Sequence, residues 1–203
     1  IDLSSGVFNI EDDGPAMGAP IEGYVRPTLV VDESPVGQDE GGDNAPPGDR
    51  SDSADFSGAF GSPSYGTDGA GTIVHSLVLV GNQTTGIGSG LYALGVGGAK
   101  GAEILLYTTA GGAIEGRVGG AAGTLYFTIA VTSGGTVSFT QEEGPNVWHA
   151  LTTSDDDTAS LSALAGTILL KQVVTDADGD KASGTIDLSS GVFNIEDDGP
   201  AMG

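Results

Sequence analysis

Short apolar runs separated by glycine-rich polar breaks set the rhythm of this chain. Residues 28–31, 73–80, 102–109, 113–118, 124–132, 136–141, 167–175 and 183–195 are rich in Val, Ile, Leu, Thr, Tyr and Phe. These residue types suit a pleated, half-buried surface, so each run predicts a β-strand. Gly, Asn, Asp and Pro fill the breaks. Ser133-Gly134-Gly135 predicts a hairpin turn, because glycine supplies the positive φ that such turns need, and Gly111-Gly112 predicts another. No segment sustains a 3.6-residue period, so helix is limited to a turn or two. Eight or more short strands with turn signals between them predict an all-β chain folded as a β-sandwich. The stretch DEGGDNAPPGDRSDS at 39–53 breaks the rhythm. It has no apolar periodicity and reads as a flexible loop of the domain, extending to about residue 55.

The same pattern repeats itself. Residues 1–18 read IDLSSGVFNIEDDGPAMG, and residues 186–203 read the same, offset by 185 positions (from 1 to 186). Identity over this length predicts a parent protein that repeats the unit in tandem. Residues 1–18 are then the last strand and junction of a preceding repeat, 19–198 the β-sandwich domain, and 199–203 the start of the next linker. The strand at 1–11, with apolar Ile1, Leu3, Val7, Phe8 and Ile10, has lost its own domain. It is expected to pair with an exposed sheet edge or a neighbouring molecule.

Composition sharpens this picture. Glycine supplies 36 of 203 residues without a three-residue period, which is turn punctuation and not collagen. Hydrophobic residues at 38% suffice for a core. Cysteine is absent, which excludes disulfides, thiolate metal sites and cysteine nucleophiles. No run approaches the ~18 apolar residues of a membrane-spanning helix. Charge changes the picture most. With 28 Asp+Glu against 6 Lys+Arg, the net charge of -22 repels nucleic acid and anionic membranes and attracts cations.

The acids are clustered, and the clusters point to calcium. Asp176-Ala177-Asp178-Gly179-Asp180 alternates carboxylates on a glycine-bearing turn, so several can aim at one point. Calcium takes six to eight oxygen ligands of this kind. The spacing is like the first half of an EF-hand loop, but no glutamate follows at the twelfth position and the flanks are strands. A second cluster, Glu11-Asp12-Asp13-Gly14-Pro15, recurs as Glu196-Asp197-Asp198-Gly199-Pro200 at the junction between repeats. The pair Asp32-Glu33 ends the first strand of the domain. Convergence of that pair with a linker pair would let calcium lock the angle between domains. Asp68, in Tyr65-Gly66-Thr67-Asp68-Gly69, offers one further ligand, whereas Asp155-Asp156-Asp157 reads as a solvated loop. The expected ligand set is thus Asp12, Asp13, Asp32, Glu33, Asp68, Asp176, Asp178, Asp180, Asp197 and Asp198, with Ca2+ as the cofactor.

Several ordered motifs resemble the repeated extender domains of giant RTX-type bacterial adhesins exported by type I secretion. They are Leu29-Val30-Val31-Asp32-Glu33-Ser34, Asp55-Phe56-Ser57-Gly58-Ala59-Phe60, Tyr65-Gly66-Thr67-Asp68-Gly69-Ala70-Gly71, Gly90-Leu91-Tyr92-Ala93-Leu94, Val173-Val174-Thr175-Asp176-Ala177-Asp178-Gly179-Asp180 and Ile195-Glu196-Asp197-Asp198-Gly199-Pro200. Together they cover most of the chain. The resemblance implies an Ig-like, cadherin-like sandwich acting as a calcium-stiffened spacer at the bacterial cell surface. Such a spacer projects ligand-binding domains for adhesion or biofilm formation. It also implies a chain that stays unfolded in calcium-poor cytoplasm and folds after export, since metal binding is coupled to folding. The nonapeptide GGxGxDxUx repeat of the export region is absent from this sequence.

Two other function classes compete with the spacer. Catalysis is not expected: His75 and His149 stand beside no nucleophile signature, and there is no G-x-S-x-G, H-E-x-x-H or P-loop. The alternative is a calcium-dependent carbohydrate- or protein-binding module, with Trp148 or Tyr92 stacking on a sugar ring. Identical tandem copies favour the spacer, whose partners are the adjacent repeats of its own chain.

Overall fold

The computed structural model describes residues 13–34, 48–150 and 156–198, with Asp156 and Asp198 described by backbone only. The strand expected at 1–11, Asp12, and the 39–47 part of the expected loop lie outside the described residues. Among the described residues the chain is all-β, with twelve strands and two 3-10 turns, Ser57–Ala59 and Val96–Gly98. The strands are β1 (Leu29–Asp32), β2 (Ser51–Asp55), β3 (Ala70–Leu79), β4 (Ile87–Leu94), β5 (Lys100–Thr108), β6 (Ile114–Val118), β7 (Thr124–Val131), β8 (Thr136–Gln141), β9 (Asp156–Ser162), β10 (Ile168–Asp176), β11 (Lys181–Asp187) and β12 (Ser190–Asp198).

They form three sheets of a sandwich. One has six strands in the order β2-β8-β7-β6-β5-β4, a meander closed at one edge by β2. The others are β11-β10-β3 and β1-β12-β9. Period-2 alternation decides what each strand buries. In β10 it turns Ile168, Leu170, Gln172, Val174 and finally Asp176 inward. The core joins the sheets through aromatic contacts. Phe139 of β8 meets Phe127 of β7 at 5.4 Å between ring centroids and Phe193 of β12 at 5.3 Å. All three rings are essentially inaccessible to solvent. Each stabilises the fold by about 1.5–3 kcal/mol relative to exposure.

Three expectations need correction. The run at 183–195 is two strands in two sheets, not one. It breaks at Leu188-Ser189, where Ser189 Oγ accepts the amides of Thr167 and Ile168, both at 3.0 Å. The end of the acidic loop, residues 51–55, is strand β2, paired antiparallel with β8. Asp156 and Asp157 belong to β9 and not to a solvated loop, and β9 pairs antiparallel with β12.

The pairing that matters most for function is parallel. β1 lies beside β12 with Leu29 opposite Phe193, Val31 opposite Ile195 and Asp32 opposite Glu196. The amide of Glu33 continues the ladder to the Glu196 carbonyl at 2.9 Å. The start of the domain is thereby tied to its end, and the acids of both come together.

Candidate metal centres

The first centre is built by the β10–β11 turn. Asp176 closes the inward face of β10 and is 3% exposed. Its Oδ1 accepts the amides of Gly179 at 3.0 Å and Asp180 at 2.7 Å, which curls the turn around the carboxylate. Gly179 sits at φ 111°, a conformation a side chain rarely adopts. Asp176, Asp178 and Asp180 each bring a carboxylate oxygen to within 4.8 Å of the others. Asp176 Oδ2 is buried and has no hydrogen-bond partner. An unsatisfied buried carboxylate oxygen is costly, and a bound cation or an ordered water would satisfy it. Burial opposes ionisation of Asp176. The Asp178 side chain and the amides of Gly179 and Asp180 outweigh it and hold the carboxyl below its ordinary value.

Two other segments press on this turn. Ala177 donates to the Gly69 carbonyl at 3.1 Å, which docks the turn holding Asp68. Gly14 passes so close that a Cβ would lie 3.4 Å from Asp180 Oδ2. Gly66 has room for no side chain, because the Asp13 carbonyl oxygen occupies that place. The segment then runs on as an attached strap. Ala16 bridges Ser64, Pro20 bridges Phe60, and Met17 fills the space left by Gly184 of β11. Asp13 and Asp68 therefore flank the group of three, although neither belongs to it.

The second centre is assembled from three distant segments. Glu33 follows β1, His149 lies between β8 and β9, and Asp197 is near the end of β12. One ligand atom of each lies within 4.8 Å of the others. His149 Nε2 is 3.4 Å from Glu33 Oε1, and His149 Nδ1 is 3.4 Å from Asp197 Oδ1. These are ionic contacts, too poorly formed for hydrogen bonds, and neither ring nitrogen has a hydrogen-bond partner. The other Glu33 oxygen, Oε2, accepts Gln141 Nε2 at 2.7 Å and the Val147 amide at 2.9 Å. That fixes the carboxylate and aims Oε1 at the imidazole. Burial pushes the His149 pKa down. The Glu33 and Asp197 carboxylates, with the backbone of Asp157, push it up further and leave it above the ordinary value.

Of the expected ligands, Glu33 and Asp197 come together here. Asp32 stays outside the group. Its Oδ1 accepts the Ser34 amide at 2.7 Å, and its Oδ2 is buried without a partner. Asp12 and the side chain of Asp198 lie outside the described residues. The residue that the sequence reading passed over is His149. Its one sequence signal is rarity: it is one of two histidines in a chain with 28 acids. The other, His75, makes ordinary structural bonds to the Ser133 carbonyl and Gln172, both at 3.0 Å. The candidate sugar-stacking rings, Tyr92 and Trp148, are half-buried and share one cation. Lys100 Nζ lies 3.4 Å from the Tyr92 ring centroid and 5.1 Å from that of Trp148.

Fold and sites define an all-β domain with acid-lined turns where its chain enters and leaves. The family model described as Domain of unknown function (DUF5801) matches residues 28–189, and the chain belongs to that family. No curated protein and no solved structure matches it.

Proposed function

We propose that this chain is a structural repeat unit, a calcium-stiffened extracellular spacer of a long bacterial surface adhesin. The observation that carries the reading is the seating of the junction segment against the Asp176–Asp178–Asp180 turn. Gly14 lies against Asp180 of the first centre, and the Asp13 carbonyl lies against Gly66 in the neighbouring turn that holds Asp68. Their sequence twins are Asp198, the last residue of β12, and Gly199. Where repeats follow in tandem, the residue that ends one domain is therefore the residue that docks on the next. No slack chain separates them.

Calcium in the turn neutralises its carboxylates and holds the segment that crosses it. Without calcium the same carboxylates repel one another and the strap loosens. An affinity of about 0.1–1 mM, typical of extracellular calcium modules, suits a chain that meets calcium only after export. The extender resemblance supplies the setting: secretion by a type I system and a stalk that projects adhesive domains.

A protein with two consecutive copies of residues 19–203 tests this by small-angle scattering. In millimolar calcium the maximum dimension is expected to be long and well defined. In excess chelator the distribution should broaden and shorten, and magnesium should not restore it. Identical profiles in calcium and chelator would sink the spacer mechanism.

A further inference from the structure

We propose that Glu33, His149 and Asp197 form a second metal centre of a different chemical class, one that takes a zinc-type divalent cation and not calcium. This centre does not depend on the Asp176–Asp180 turn: it takes Glu33 and Asp197, which the sequence predicts as calcium ligands, and joins them to the imidazole of His149.

Spacing alone does not choose the ion. One ligand atom of each residue lies within 4.8 Å of the others, and the 3.4 Å between a ring nitrogen and the carboxylate oxygen it faces suits two ligands of a tetrahedral ion with bonds of about 2.1 Å. It equally suits adjacent positions around calcium at about 2.4 Å. The donor atoms choose. Calcium is bound by oxygen, whereas zinc and its neighbours accept imidazole nitrogen together with carboxylates. One imidazole and two carboxylates also make three protein ligands, the number found in zinc sites that keep an open position.

Burial points the same way. His149 is 8% exposed, and neither of its nitrogens makes a hydrogen bond. Buried imidazole nitrogens without partners are rare. Nε2 faces Glu33 and Nδ1 faces Asp197, so the lone pair points at one of the two carboxylates whichever tautomer the ring adopts. Glu33 has the support expected of a ligand: two donors hold Oε2 and leave Oε1 for the ion.

The surroundings also demand positive charge. Asp32, Glu33 and Glu196 are all at least nine-tenths buried. Asp197 stands opposite Asp157 in the β12–β9 register, a like-charge pairing that destabilises a sheet. Arg50 donates to the Glu33 carbonyl at 2.7 Å, to the Glu142 carbonyl and to Gln141 Oε1, none of them a carboxylate oxygen. A proton on His149 is the rival occupant, and it supplies one positive charge against several negative ones.

Cobalt(II), a coloured substitute for zinc, tests the proposal on the whole chain in saturating calcium. One equivalent is expected to bind with the strong visible absorption of a low-coordinate site, and zinc should displace it. His149→Gln should abolish the signal. Asp178→Asn, which damages only the calcium turn, should leave it intact, so failure of the calcium reading would not touch this result. Absence of cobalt uptake, or uptake unchanged in His149→Gln, would overturn the proposal. A wild-type measurement decides the matter if that variant fails to fold. In a long-range 1H–15N spectrum, one equivalent of zinc should move the His149 ring signals and spare those of His75. Unmoved His149 signals would overturn the proposal, with the proton left as the occupant.

Discussion

The two centres lie at the two ends of a single course of chain. β11 leads away from the Asp176–Asp180 turn, and β12 ends at Glu33 and His149. The first centre is local: five consecutive residues supply its three carboxylates, and two of these, Asp178 and Asp180, are exposed. The second is non-local: Glu33 and Asp197 are brought together only by the parallel pairing of β1 with β12. A local cluster on a turn can form late and be governed by solution calcium. A buried cluster spanning β1 and β12 is part of the fold itself. Mutation should therefore cost little at the first and much at the second.

The largest effect is expected from Glu33→Ala. It strands the Gln141 amide and the Val147 amide, which now share Oε2, and leaves His149 with one acid. Removing one partner of a buried ionic group costs about 3–5 kcal/mol. For a chain of this size that lowers Tm by roughly 10 °C. Thermal unfolding in chelator measures it, and a loss below about 1 kcal/mol would show that this cluster does not clamp the two strands, erasing the contrast.

Next comes calcium itself. At a calcium concentration about a hundred times Kd, binding to the folded state alone stabilises by about 2.7 kcal/mol. That corresponds to a rise in Tm of roughly 5–10 °C. The rise should be specific for calcium over magnesium, since magnesium holds its water more tightly and demands stricter geometry. Equal responses to both ions would mean general screening of the negative charge and not a site.

Asp178→Asn should separate binding from folding. Its side chain is exposed on the turn, so in chelator the variant is expected to unfold within about 0.5 kcal/mol of the parent. In calcium it should lose most of the rise. A large loss in chelator would make the turn a structural element like the Glu33 cluster.

The same contrast explains what could be read from the sequence. Strands with dense apolar runs were legible, as β3, β5, β7, β8 and β10 show. So was the clustering of the aspartate turn, because its three carboxylates are neighbours in sequence. β2 was hidden: Ser51–Asp55 carries no large apolar residue and earns its place through the backbone ladder to β8. β4 was hidden by glycines that serve close packing. A Cβ at Gly88 would strike the Glu103 carboxylate, and one at Gly90 would strike Ser162. The strand break at Leu188-Ser189 was hidden because apolar residues continue across it. His149 was hidden for a deeper reason. Its partners are more than a hundred residues away on one side and nearly fifty on the other, and only the parallel β1–β12 register names them.

The smallest expected effect concerns Asp187, which closes β11 where the chain passes toward the second centre. Its Oδ1 accepts the Ser189 amide at 2.8 Å, and its Oδ2 accepts the Gly166 amide at 2.7 Å. Burial opposes ionisation, but Ser189, Gly166 and the Arg26 guanidinium prevail and hold the carboxyl below its ordinary value. A carboxyl depressed in the folded state contributes stability that is fully present above its unfolded value, about 3.9. That contribution fades as pH falls through the lower, folded value. Acidification also relieves the repulsion among the other carboxylates, so the parent's slope mixes two opposing effects. Asp187→Asn isolates one of them. Measured in chelator, the variant should be less stable than the parent at neutral pH, and the gap should narrow as pH drops below about 4. A gap that stays constant with pH would mean that Asp187 holds the strand break by shape alone. The strand break between the two centres would then owe nothing to this carboxylate's charge.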